Sequence, residues 1–495
     1  MKKLLVLFLI LSAASHAESE RIALVGGTVI PATGEPPLVG ATILISDGRI
    51  SEIGVDVVIP SDHERIDVSG KWITPGLIDS NVHLILLTIP EFFIKYEDRL
   101  TDIAIQSAQV GLKYGLTTMP DTWGPLKPLL EARDRINSGE FVGSRVLVAG
   151  NIIGTGGPFS AYFMGSWPVD GLTLRYGGWV HPDVQRRINA LWEDDVGPAM
   201  LAMTPDEAAE TLRKYIDKGV DFVKVGVSGH GIGPVEPLLF SPAVLHAMRE
   251  EVRRAGIPFS THTFSVESLR LAVELEPDLL MHPNVMSVPF RYASPPQREA
   301  IEALIKTIAD QEIYSGLMAV PEKYKTSQYE EWDAHEHADQ PRLNKIMVNR
   351  QLGLMHSSFE ERVADTKVWL DAGVRYTLAT DQGPDTTELG PVAWSRLGRA
   401  HFGRMVGLQD AGATPMDILI AATRNGAEAY GLGDDLGTIE VGKLADLLVI
   451  SEDPMTDIGN LRHIEMVIKE GQIIDRDALP TVKVLDYDPE APWPY

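Results

Sequence analysis

Eight short apolar segments of β type, separated by helix-like stretches, constrain this chain more than any other feature of its sequence. They occupy 77–80, 116–120, 145–152, 221–227, 257–262, 278–282, 312–319 and 375–380. The stretches Pro205 to Lys218 and Ser241 to Ala255 lie between them and carry start signals. Ser241-Pro242 and Thr204-Pro205-Asp206-Glu207 each set a hydroxyl N-cap before a proline at the first helical position. Strands that alternate with helices pair in parallel. Eight is also the number that closes a barrel, so the expected fold class is α/β, a (β/α)8 TIM-type barrel. An open doubly wound sheet is the competing arrangement, but no glycine-rich nucleotide turn follows an early strand.

The two ends of the chain have a different texture. Ile22 to Val25, Thr28 to Ile30, Ala41 to Ile45 and Arg49 to Ile53 are β-rich runs split by Gly, Pro and Asp-Gly turns. The texture returns in Gly437 to Gly442, Ala445 to Ile450 and Met466 to Ile468. Residues 18–72 and 436–478 are therefore expected to build a small β-sandwich domain from both chain ends, around a barrel over 73–435. A length of 495 residues exceeds what a single core sustains. The tail 479–495, with Pro480, Pro489, Pro492 and Pro494, is expected to be an extended arm. Two connections are long. Residues 153–204 carry Phe159, Tyr162, Phe163, Trp167, Tyr176, Trp179 and Trp192, and residues 320–370 carry Tyr324, Tyr329 and Trp332. Such loops serve as binding walls or pack as peripheral excursions.

Residues 1–17 stand apart. Lys2 and Lys3 precede the apolar run Leu4 to Leu11, and Ser15-His16-Ala17 offers small residues for cleavage. This is the pattern of a secretory signal peptide, too short to span a bilayer, and implies an exported protein, periplasmic or secreted. The formal charge of −25 opposes binding to nucleic acid or an anionic membrane surface. With no cysteine anywhere, disulfides, thiolate metal sites and thiol nucleophiles are excluded, so any metal is held by nitrogen and oxygen.

Polar residues at the strand ends carry the chemistry. The first strand ends Asp79-Ser80-Asn81-Val82-His83 and the fourth contains Val223-Lys224-Val225. His262 closes the fifth, His282 the sixth, and Asp381 follows the eighth. Barrel active sites are built at this C-terminal end. A lone strand-end histidine is usually a structural residue; several histidines, a carboxylate and a buried lysine at one mouth form a ligand set for Zn²⁺ or a similar divalent ion. Lys224, between two valines, is costly to keep charged and would react as a free amine. With carbon dioxide it would become a carbamate, an anionic oxygen ligand able to bridge two cations.

Several of these segments resemble one family. Ile73-Thr74-Pro75-Gly76-Leu77-Ile78-Asp79-Ser80-Asn81-Val82-His83 is similar to the first-strand signature of the amidohydrolase superfamily. Gly115-Leu116-Thr117-Thr118 with Asp121 resembles its second strand, and the run Gly437 to Leu447 its returning sandwich strand. Asp221-Phe222-Val223-Lys224 matches the carbamylated-lysine position of the imidazolonepropionase-like and Xaa-Pro dipeptidase-like subgroup. The resemblance covers about residues 22–475. It implies a binuclear site, with His262, His282 and modified Lys224 on one metal, and His83, Asp381 and the same lysine on the other. Asp381 would also be the general base for a metal-activated water.

One position departs from the pattern. The family motif has histidine two residues before His83, where this chain has Asn81. An amide oxygen is a weaker ligand for Zn²⁺ than imidazole and suits harder cations. Three outcomes follow: weaker binding at the His83 and Asp381 site, a preference there for Mn²⁺ or Mg²⁺, or a mononuclear enzyme using His262, His282 and Lys224. His335-Glu336-His337 lies in a polar run away from any strand end and reads as a solvated loop. His230, Gly156 and Tyr162 follow strands four and three and are candidates for substrate contact. The expected function is metal-dependent hydrolysis of an amide-type C–N bond in a small peptide, N-acyl amino acid or cyclic amide. Deamination, lactone hydrolysis and a degenerate, non-catalytic binding barrel are the alternatives, and homo-oligomer formation stays open.

Overall fold

The computed structural model describes residues 21–86, 90–160, 162, 180–229, 237–284, 293–319, 363–384 and 397–480. The leader-like segment 1–17, His230, His335 to His337, Tyr324, Tyr329, Trp332 and the tail from residue 481 onward lie outside them. So do Phe163, Trp167, Tyr176 and Trp179 of the first long connection.

Both chain ends enter one mixed sheet. Its strands are β1 (Ile22–Val29), β2 (Leu38–Ser46), β3 (Arg49–Gly54), β4 (Glu64–Asp67) and β5 (Trp72–Pro75) from the first end. From the other come β14 (Leu447–Ile450), β15 (Ile464–Lys469) and β16 (Gln472–Ile473). The order is β16-β15-β14-β5-β1-β2-β3, with β4 beside the first half of β1. Ile43, Ile45, Ile73, Leu447 and Val449 form part of an apolar core belonging to this sheet alone. The run 437–442, expected as a strand, is not one. Gly437 and Gly442 bracket it in left-handed conformations, and it meets its neighbours through single bonds, Ile439 N to Pro31 O and Gly442 N to Ile50 O. The chain leaves the sheet at Gly76, whose amide donates to Asp446 O. A Cβ there would fall 2.3 Å from Thr117 Oγ1, which explains the glycine.

The eight segments anticipated in the middle are strands: β6 (Leu77–Ile78), β7 (Leu116–Asp121), β8 (Arg145–Val148), β9 (Val223–Gly226), β10 (Phe259–His262), β11 (Leu279–Met281), β12 (Tyr314–Leu317) and β13 (Tyr376–Leu378). All pair in parallel, in arcs ordered β6-β7-β8 and β9-β10-β11-β12-β13. Backbone bonds join the arcs at both ends. On one side Ser80 N donates to Leu378 O (2.9 Å), Asp381 N to Asn81 O (2.7 Å) and His83 N to Gln382 O (2.9 Å). On the other, Asp221 N donates to Val148 O (2.9 Å), Ile153 N to Lys224 O (2.9 Å) and Gly226 N to Ile153 O (3.1 Å). Ala149 beside β8 shares an apolar cluster with Phe222, Leu279 and Met281 of the second arc.

Helices separate the strands as the start signals require. The Thr204 hydroxyl accepts from Glu207 N while the Glu207 carboxylate accepts from Thr204 N, a capping box on the helix Pro205–Ile216. Ser241 caps Pro242–Ala255, which ends at Gly256 in the left-handed conformation. Of the two roles open to the aromatics of the first long connection, Trp192 takes the packed one and belongs to the core. It lies on the helix Pro182–Glu193, fully buried, with its ring against Trp123 (5.6 Å) and Phe93 (5.1 Å). The mixed sheet and the arcs are tied by Arg145, which donates to Asp446 Oδ2 at 2.8 Å and to Glu470 Oε1.

Candidate active site

The residues picked out at the strand ends meet at the C-terminal ends of the two arcs. Lys224 leaves β9, His262 closes β10, His282 follows β11 and Asp381 lies three residues past β13. Asn81 and His83 follow β6 in the other arc. Two of these residues hold backbone conformations unusual for anything but glycine. His282 has φ +37° and Asp381 φ +58°, in the left-handed region that His and Asp tolerate at a cost.

The first half of the site is a pair of imidazoles. His282 Nε2 and His262 Nδ1 are 3.0 Å apart, their rings set edge to face at 4.7 Å. Both rings are buried, and His282 Nδ1 has no hydrogen-bond partner. Burial pushes the His282 pKa down to about 4, opposed by Asp381 and reinforced by Lys224, so the ring is neutral at pH 7. Two facing imidazole nitrogens at this separation match two ligands on one ion, since metal–nitrogen bonds are roughly 2.0–2.1 Å. Phe264 stacks on His282 (centroids 5.0 Å, 27°) and meets His262 edge-on.

The second half is a hydrogen-bonded chain. Lys224 is fully buried, and its Nζ donates to Thr122 Oγ1 (3.1 Å) and Asn81 Oδ1 (3.4 Å). The Thr122 hydroxyl donates to Asn81 Oδ1 (2.5 Å). Asn81 Nδ2 in turn donates to Asp381 Oδ1 (3.0 Å), and His83 Nε2–H donates to the same oxygen (3.0 Å). Both ends of the Asn81 amide are thus engaged by protein atoms. Among the described residues no group of three or more His, Asp and Glu side chains is arranged to hold a metal by itself.

Charge and burial set the protonation states. Burial lowers Lys224 to about 8, against the pull of Asp381 and Asp121. His83 is held below its usual range, chiefly by burial, which outweighs its bond to Asp381. Asp381 keeps about 29% of its side chain exposed. Burial opposes its ionisation, but the His83 bond and the charges of His282, His83 and Lys224 hold the carboxyl well below the usual range. Two further buried carboxylates order the loops. Asp79 accepts from Thr380 N (3.0 Å), Thr380 Oγ1 and Asn81 N (3.3 Å), and burial raises it to about 7. Asp121 accepts from Leu84 N (2.6 Å) and Trp123 N (3.1 Å) and is raised by burial to the same value.

The remaining candidates lie further out. Gly156 has φ +86°, and a Cβ there would come within 2.9 Å of Pro198 Cδ and Ser160 Cβ, so local packing accounts for it. Its carbonyl accepts from Trp123 Nε1, and the Trp123 ring packs edge-on to His83. Tyr162 is half-buried against the main core, and its backbone carbonyl lies beside Gly229. Sequence reasoning missed Thr122, Trp123 and Phe264. All three stand just past strand ends, where the rule that found the ligands applies equally.

A solved molinate hydrolase is 31% identical over 96% of this chain and 99% of its own, with a TM-score of 0.81. A phenylurea hydrolase B is 29% identical, covering 95% and 100%, with a TM-score of 0.80. Among curated relatives, an N-substituted formamide deformylase of Arthrobacter pascens is 35% identical over 99 residues. That alignment reaches 20% of this chain and 18% of the relative. The Amidohydrolase family model matches residues 72–474, the whole stretch from β5 to the end of β16. The family implies a TIM-type barrel with a β-sandwich domain and a divalent metal, as the strand-end residues did. This chain belongs to the amidohydrolase family.

Proposed function

We propose that the chain is a metal-dependent hydrolase of an amide- or urea-type C–N bond in a small molecule, working with one firmly held divalent ion on a closed (β/α)8 barrel. The observation that carries this reading is the buried imidazole pair of His262 and His282, 3.0 Å apart, in which His282 is neutral and feels the charges of Asp381 and Lys224. His262, His282 and Lys224 as its carbamate would hold the ion, Zn²⁺ or a close substitute. A single ion is favoured because the Asn81 amide bonds Asp381 at one end and Thr122 and Lys224 at the other, within the space a second ion would share. A bound divalent ion polarises a carbonyl and lowers the pKa of water.

The chain's own residues do the rest. Asp381, ionised and partly exposed, is positioned to accept a proton from attacking water and pass it to the leaving nitrogen. Asn81 and His83 fix its Oδ1, which leaves Oδ2 for that transfer. Phe264 gives the imidazole pair an apolar flank, suited to a substrate with an apolar or aromatic group. The names of the similar proteins, a formamide deformylase and a phenylurea hydrolase, agree with C–N chemistry. The test is a panel of formamides, N-acyl amino acids and phenylureas assayed with Zn²⁺, Mn²⁺ and Co²⁺, beside Asp381→Asn. Metal-dependent turnover lost in the variant supports the reading; none on any metal overturns it.

A further inference from the structure

Lys224 is the most deeply enclosed basic group in the site, and its surroundings are unusual for an ammonium. Its Nζ bonds only to neutral oxygens, Thr122 Oγ1 at 3.1 Å and Asn81 Oδ1 at 3.4 Å. Among the described residues no carboxylate comes within ion-pair distance of it. A hydroxyl can accept from an amine and can equally donate to an anion. Thr122 is fully buried, and its backbone is fixed by a bond from its amide to Val82 O. Its one hydrogen, given to Asn81 Oδ1 while Lys224 is a free amine, turns about the Cβ–Oγ bond to become a donor toward position 224, exchanging one acceptor for another.

We propose that Thr122 is the positioning residue that keeps Lys224 as its carbamate, by donating its hydroxyl to a carbamate oxygen. This rests on the reading above that Lys224 takes up carbon dioxide. In that step the Nζ lone pair forms a bond to the carbon of CO2, one C=O electron pair moves onto oxygen, and Nζ gives one proton to solvent. No oxidation or reduction is involved. The product carries one negative charge shared between two oxygens. A carbamate that bridges two cations satisfies both, whereas one that meets a single ion leaves an oxygen buried and in need of a donor. Asn81 stands where a second imidazole ligand was expected, so the donor must come from the protein. Thr122 is the hydroxyl within reach, 3.1 Å from the nitrogen that becomes the carbamate.

The experiment uses the full chain expressed and stored with ¹³C-bicarbonate, in three forms: wild type, Thr122→Val and Thr122→Ser. Valine matches threonine in shape and removes only the hydroxyl; serine restores it. The readouts are the lysine carbamate signal in the ¹³C spectrum, assigned by its absence in Lys224→Ala, and metal per chain by elemental analysis. Wild type and Thr122→Ser should show the signal and equal metal. In Thr122→Val the carbamate occupancy at fixed bicarbonate should fall about tenfold or more, as loss of a hydrogen bond to a charged group implies. Should Thr122→Val fail to fold, Thr122→Ala is read by the same criterion. An undiminished signal in the hydroxyl-free variant overturns the role of Thr122 and leaves the carbamate standing. No signal in wild type overturns the carbamate itself, and with it this inference.

Discussion

Asn81 and Asp381 are joined twice: Asn81 Nδ2 donates to Asp381 Oδ1 at 3.0 Å, and the Asp381 amide donates to the Asn81 carbonyl at 2.7 Å. The amide therefore does with hydrogen bonds what a second ion would do with coordination. Asn81→His removes the side-chain bond and places a second imidazole beside His83. Metal content should rise from about one toward two ions per chain. Elemental analysis after dialysis against Zn²⁺ measures this, and an unchanged count would show that Asn81 does not limit the second site.

Asp381→Asn keeps the size of the side chain and removes its basicity. Turnover should fall by roughly 10²–10⁴-fold, the usual contribution of a general base. Metal content should stay near the wild-type value, because the proposed ligands of the firm site are His262, His282 and Lys224. Steady-state rates normalised to bound metal separate the two effects.

Lys224→Ala should lower metal affinity through loss of an oxygen ligand. Acetate or propionate, small enough to enter the vacated space, should restore part of it. Titrating metal binding with and without 50–100 mM carboxylic acid (about the range for a weak ligand) tests this. A variant indifferent to the acid would mean that position 224 contributes no oxygen.

His401, on the helix Ala400–Asp410, is buried, donates Nε2–H to Tyr114 O, and is pushed by burial to about pKa 3. Its folded pKa is below the unfolded value, so the unfolded chain binds the extra proton. Stability is therefore lost as pH falls from about 6.5 toward 3, by about 1.4 kcal/mol per pH unit. His282, lowered to about 4, acts in the same direction over a shorter range. His401→Gln keeps a donor for Tyr114 O and cannot titrate. Urea unfolding of the metal-free chain between pH 6 and 4 should show a pH slope shallower by about that amount. Equal slopes would place the acid sensitivity elsewhere.

Much of this arrangement is legible in the chain. Eight apolar runs gave the strands of both arcs within a few residues, because buried parallel strands are apolar on both faces. That His262, His282, Lys224 and Asp381 gather in one place followed from where they fall at strand ends. Asn81 stood out against a motif, and the structure then supplied its partners. Other features carry no local signal. Thr122 is an ordinary strand-end threonine until the fold brings it to Lys224, 102 positions away in sequence. Trp192 reads as a loop aromatic until its helix folds it against Trp123. The run 437–442 has strand composition, but its two left-handed glycines break the ladder.

The proposed firm half-site, His262, His282 and Lys224, lies on one hydrogen-bonded sheet. Lys224, His262, His282 and Asp381 lie on or just beyond β9, β10, β11 and β13, while Asn81 and His83 reach across the seam from β6. The second proposed half-site therefore straddles the seam, with Asp381 and Lys224 on one arc and Asn81 and His83 on the other. A single substitution in the loop after β6 therefore changes one side of the seam and leaves His262, His282 and Lys224 on their own strands untouched.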